Sequence, residues 1–153
     1  MKRQKFVPGA IVKIPLDETY HTYGRLLVRP YVAVYDYRTD ADQADLQEII
    51  KRAILFIVCV YDYAITKGRW EIIGKVSLDS DNVEVPPQFI QDSYAPYNCS
   101  LIDALGNLTP ATIEECRGLE RSAVWEPEHV EERIRDFYAG KVNRWAESLK
   151  LKE

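Results

Sequence analysis

The sequence predicts an α+β fold: a small, strongly bent antiparallel sheet or SH3-like partial barrel, with one short helix and a C-terminal amphipathic helix. Three observations carry this. Residues 68–78 alternate with a period of two, placing Trp70, Ile72, Gly74, Val76 and Leu78 on one side and Glu71, Ile73, Lys75 and Ser77 on the other. From Thr39 the apolar residues change to a helical period, and a longer helical stripe runs from Val130 to Leu149. The alternation in 68–78 suits a central strand with one buried and one wetted face, and it marks Trp70, Ile72, Gly74 and Val76 as structural core.

Local signals order the rest of the chain. Pro8-Gly9 is a turn, after which Ala10, Val12, Ile14 and Leu16 alternate with Ile11, Lys13 and Pro15 in a first strand; Pro15 places it at an edge or a strand end. Residues 20–28 form a second strand, in which Gly24 marks a bulge or a close approach of backbone. Pro30 interrupts, and residues 31–37 resume as a third strand. Thr39 or Asp40 caps a short helix, with Asp42 and Asp45 at its positive end and Leu46, Ile49, Ile50 and Ala53 in its apolar stripe. The run 53–61 is too short and too β-branched for a helix and reads as a strand covered on both faces. Thr66-Lys67-Gly68 then turns the chain, so that 54–63 and 69–78 form a hairpin. Between 79 and 111, Pro86, Pro87, Pro96 and Pro110 favour loops, with short strands at 88–92 and 97–102. Thr109 or Thr112, followed by Glu114 and Glu115, caps a short helix. Glu126-Pro127 opens the last helix, which Gly140 bends or splits.

With 153 residues, 46% of them hydrophobic, the chain fits one domain over 1–153 that buries a single core. No apolar run approaches the roughly 18–20 residues of a membrane span, and no signal-peptide pattern follows Lys2, Arg3 and Lys5, so no membrane partner and a cytoplasmic location are expected. Three cysteines without paired spacing argue against a disulfide framework, and Cys59 reads as a small core residue. The net charge of −4 is unevenly placed: residues 79–136 hold 13 acidic and 4 basic residues. Such a segment repels phosphate backbones, which excludes nucleic acid, and attracts a basic partner.

Chemistry is sparse. His21 and His129 are isolated, so no metal and no cofactor are expected. Asp79-Ser80-Asp81-Asn82 lacks the glycine and distal glutamate of a calcium loop and reads as a polar turn. No nucleophile elbow or phosphate loop is present, and nothing in the spacing selects Asp103 with Glu114 or Glu115 as an acid–base pair, so no catalytic residues are assigned. The sequence Val-Tyr-Asp-Tyr occurs twice, at 34–37 and 60–63. If the strands that it closes are parallel, the two copies share a rim; if antiparallel, they lie at opposite ends. A pocket near Tyr35, Tyr61 and Asp62 would serve a small hydrolase or ligand-binding domain, the alternative to a binding module.

Three segments resemble the immunity protein 26 family. They are Gly9-Ala10-Ile11-Val12-Lys13-Ile14-Pro15-Leu16, then Tyr20 with Tyr23-Gly24-Arg25, then Trp70-Glu71-Ile72-Ile73-Gly74-Lys75-Val76-Ser77-Leu78. The likeness spans about residues 9–92. It implies a bacterial cytoplasmic antidote that binds and neutralises a cognate toxin domain and is not an enzyme. The phosphotriesterase label of some members is not carried over, because this chain lacks a histidine-rich metal set. Toxins acting on nucleic acids are usually basic, so the resemblance and the charge together place the partner surface on Asp79, Asp81, Glu84 and Asp92, with Tyr94 and Tyr97 as anchors.

Overall fold

The computed structural model describes residues 2–42 and 45–153. The fold is α+β. A six-stranded sheet contains β1 (Ala10–Pro15), β2 (His21–Leu26), β3 (Tyr31–Tyr35), β4 (Ile54–Val60), β5 (Glu71–Lys75) and β9 (Val124–Trp125), in the order β5-β1-β2-β3-β4-β9. All its pairings are antiparallel except β4–β9. A second antiparallel sheet holds β6 (Gln88–Gln91), β7 (Cys99–Ile102) and β8 (Leu108–Ala111). The helical segments are α1 (Leu46–Lys51), α2 (Tyr63–Thr66), α3 (Ile113–Cys116), α4 (Pro127–Ala139) and α5 (Arg144–Ser148). Neither sheet closes into a barrel.

Alternation along β1–β4 sends side chains to two faces, and both are covered. One face carries Val12, Ile14, Leu26, Val32, Val34, Phe56 and Val58, which pack with Trp70, Trp125 and the α4 residues Val130 and Ile134. The opposite face carries Ile11, Tyr23 and Tyr35 beneath Ile49 of α1, and Leu27, Tyr31, Ala33 and Cys59 beneath the 78–85 loop. This double cover is why β2 and β3 are buried along their whole length. It also explains polar residues inside the sheet: Thr22 donates to the Tyr35 carbonyl at 2.8 Å, and His21 Nε2 lies 2.9 Å from the Tyr23 hydroxyl. Burial lowers the His21 pKa below its ordinary value.

The expected hairpin of 54–63 with 69–78 does not form. β4 lies between β3 and β9, whereas β5 pairs with β1 at the other edge. The physical reason is α2, whose Ala64 and Ile65 pack into the core with Trp70 and carry the chain across the sheet face. The stretch 68–78 is accordingly an edge strand and not the central one. Only Glu71–Lys75 is extended: Gly68 sits at φ +79° after α2, and the Trp70 amide donates to the Ala64 carbonyl. The register shifts between Ile11 and Val12, so Ile72 opposes Val12 while Gly74 opposes Ile11. This β-bulge at Ile73 moves the strand from one face to the other. Trp70 and Ile72 join the α4-covered core, and Val76 joins the cluster under α1. Trp70 and Val76 are buried, whereas Ile72 and Gly74 are half-buried. At Gly74 a Cβ would come within 2.5 Å of Leu46 Cδ1, so the bulk excluded there is a side chain of α1.

Other expectations shift by smaller amounts. The first helix starts at Leu46 with Asp45 as its cap, not Thr39 or Asp40, because Thr39 bridges to His21 as a strand residue. Gln43 and Ala44, which the expected helix covers, lie outside the described residues. Ala53 falls beyond the helix, its carbonyl accepting from Asp36 N–H. The strand 53–61 is covered on both faces only in its C-terminal half, and Ile54 is exposed. Gly24 is a close approach: a Cβ there would meet Ile14 at 3.0 Å and Val32 at 3.1 Å. Thr112 makes the capping box with Glu115. β8 is an addition, formed despite Pro110 because it lies at a sheet edge. Gly140, at φ +68°, ends α4 and separates it from α5. β3 and β4 are antiparallel, so the two Val-Tyr-Asp-Tyr copies lie at opposite ends.

Candidate functional site

Two loops carry the acidic and tyrosine residues that the sequence singles out. The first follows β5. Ser77 caps a short 3-10 turn at Leu78–Ser80, and Leu78, Val83 and Val85 fold against the sheet. Its anchor is Arg25, the penultimate residue of β2 and fully buried. One guanidinium nitrogen lies 2.7 Å from Asp81 Oδ2, and the other donates to the carbonyls of Ser77 at 2.8 Å and Val76 at 3.2 Å. Nε has no hydrogen-bond partner among the described residues. Burial alone pulls the guanidinium's pKa down, but hydrogen bonding to Asp81 and Tyr35 outweighs it and holds the pKa above its ordinary value. The same bond holds the Asp81 carboxyl below its ordinary value, against the opposing effect of its own burial. Asp81 therefore turns inward as the counter-ion of a buried charge. Asp79 and Glu84 stay exposed on the loop that this ion pair shapes.

The second loop joins β6 to β7. Asp92 Oδ1 accepts from the backbone N–H groups of Tyr94 at 2.8 Å and Ala95 at 3.1 Å, an Asx turn that fixes the start of the loop. Gln91 Nε2 donates to the Pro96 carbonyl at 2.8 Å, Asp92 N–H to Asn98 O, and Asn98 N–H to Ala95 O. On this braced backbone Tyr94 is 99% and Tyr97 80% exposed, so both rings stand in solvent with an acidic residue beside them. Thus Asp92, Tyr94 and Tyr97 share one loop, and Asp79, Asp81 and Glu84 share another.

The other candidates separate. Tyr35 is buried, and burial raises its pKa; it lies at the far end of β3 from Tyr61 and Asp62. Tyr61 and Asp62 line a shallow depression with Pro30, Tyr63 and Val124, where Asp62 pairs with Arg29. The three residues do not form a pocket. Asp103 braces the β7–β8 turn through the N–H groups of Leu105 and Asn107, both at 2.9 Å, and Glu115 serves its capping box. His129 stacks on Trp145 with ring centroids 3.8 Å apart. Among the described residues, no three His, Cys, Asp or Glu side chains cluster as a metal site, and no helix is long and apolar enough to cross a membrane.

Sequence reasoning missed two features. One is the set of contacts made by α4: Glu131 is buried, takes a two-pronged hydrogen bond from Arg69 at 2.9 and 2.8 Å, and accepts from the Trp70 indole N–H at 2.9 Å. The helical stripe gave a signal for α4 but none for a buried acid on its inner side. The other is a groove of about 390 Å³ beside β4, walled by Ile54, Leu55 and Ile57 on one side and Pro87, Leu119 and Glu120 on the other. The expected hairpin had covered that edge.

The geometry can be set beside known proteins. No curated protein and no solved structure was found to match the chain. The family described as immunity protein 26 matches residues 7–100, which takes in β1–β6, with the bulged β5, both candidate loops and the start of β7. That is more than half of the chain, and the protein belongs to the immunity protein 26 family.

Proposed function

We propose that this protein binds a cognate bacterial toxin domain and neutralises it by occlusion, meeting a basic surface with its acidic one. Family membership is the observation that carries the reading. The braced 92–98 loop supports it: exposed tyrosines on a fixed backbone supply contact area at low ordering cost, as binding hot spots require. The contact surface comprises Asp79, Glu84, Asp92, Tyr94 and Tyr97, with Asp81 shaping the loop that presents the first two. The acid-rich segment 79–136 steers a basic partner and accelerates encounter. The protein acts in the cytoplasm of the cell that makes the toxin. The test is co-expression with the toxin domain encoded immediately upstream. Rescue of growth and recovery of a 1:1 complex are expected; unrelieved toxicity with no complex would overturn the reading.

A further inference from the structure

The sheet edges of this molecule are treated unequally. At one end of the six-stranded sheet, the β5 residue Ile72 has its N–H satisfied by Gln4 Oε1 at 2.7 Å. The outer strand of the second sheet, β8, carries Pro110, which has no N–H to offer. At the other end of the six-stranded sheet, β9 pairs with β4 only at Cys59 and Val60, which leaves Ile54 to Val58 without a strand partner on that side.

The register shows which groups point outward. Val60 N–H donates to the Pro30 carbonyl just before β3, so by the alternation of the ladder Val58 and Phe56 are the residues that exchange hydrogen bonds with β3. Ile57 opposes Ala33 as a non-hydrogen-bonded pair and turns its N–H and C=O away from β3, toward the groove. Among the described residues nothing bonds to them. An open, apolar edge of this kind is a template for another strand.

We propose that this edge and its groove accept an extended segment of the toxin as an added strand, so that the toxin is held by backbone hydrogen bonds as well as by surface charge. The inference rests on the toxin-neutralising reading above. Charge complementarity selects the occupant. The wall facing β4 is built from 86–88 and 118–120, inside the acid-rich segment 79–136; its Glu120 is ion-paired with Arg133, and the exposed Glu84, two residues before Pro86, has no ion-pair partner among the described residues. A strand with an apolar residue facing the groove and a Lys or Arg at the end that meets Glu84 fits both the walls and the rim.

The experiment is amide hydrogen exchange on the wild-type protein, free and with the toxin domain encoded upstream, together with affinities of two variants. Exchange at Ile57 is expected to slow at least tenfold in the complex. Ile57→Pro removes an outward donor and no β3 hydrogen bond, and Ile54→Arg fills the mouth of the groove from an exposed position; each weakens binding at least tenfold. Unchanged exchange at Ile57 in a 1:1 complex, or unchanged affinity of Ile54→Arg, overturns the added strand. Protection of Ile57 in the free protein together with a dimeric mass would assign the edge to a second copy and likewise overturn it. Failure of wild-type protein to bind the toxin domain at all defeats the underlying reading instead, and it is seen without the variants.

Discussion

The loops at 77–85 and 92–98 both carry acidic residues in irregular backbone, but Asp81 of the first and Asp92 of the second use their carboxylates differently. In the first, Asp81 reaches in to the fully buried Arg25, and apolar residues pin the loop to the sheet. In the second, Asp92 bonds its own loop backbone and leaves Tyr94 and Tyr97 standing free. A carboxylate's role is therefore set by what its oxygens bond to: a carboxylate neutralising a buried cation holds the fold, and one that braces a turn leaves its neighbours available to a partner.

Substitutions in the two loops should separate stability from binding. The largest effect belongs to Asp81→Ala, which strands a buried guanidinium. Stability is expected to fall by about 3 kcal/mol in urea denaturation, the low end for breaking a buried pair because Asp81 is itself partly exposed. Next comes Tyr94→Ala with Tyr97→Ala. Toxin affinity should drop by about 2 kcal/mol, while stability stays within about 0.5 kcal/mol of wild type, read by calorimetric titration and thermal melting. Gly74→Ala, at the strand entering the first loop, pushes against Leu46 and should cost about 1 kcal/mol in thermal denaturation, with binding unchanged. The smallest effect is a pH dependence. Because Arg25 lowers the Asp81 pKa, the pair's contribution is fully present above the ordinary value of 3.8 and is lost as pH falls through the lower folded value. The stability gap between wild type and Asp81→Asn should therefore be constant above pH 5 and close below 3.8.

Local features were legible in the sequence, and features that depend on distant partners were not. The Thr112–Glu115 capping box, the strand character of 10–16 and 31–37, and the end of α4 at Gly140 each depend on a few neighbouring residues. The pairing of β5 with β1 depends on α2 carrying the chain across the sheet, and the expected 54–63/69–78 hairpin gave way to α2, whose Ala64 and Ile65 pack into the core with Trp70. The alternation through Trp70, Ile72, Gly74 and Val76 looked uniform because a bulge leaves no mark on apolar periodicity. Arg25 with Asp81, 56 residues apart, has no local signature, so Asp81 was grouped with its exposed neighbours. The family motifs placed residues 9–92 correctly within the matched 7–100, since strand cores are the part of a fold written most directly in sequence.

The central claim is that the acidic, tyrosine-bearing surface captures a basic toxin. The most direct test is calorimetric titration of the toxin domain encoded upstream into wild-type protein and into Asp79→Lys/Glu84→Lys/Asp92→Lys, at low and high salt. A 1:1 complex that weakens with salt, and that the triple reversal weakens at least tenfold with folding intact, is the predicted result. Equal affinity of the two proteins at both salt concentrations would contradict it.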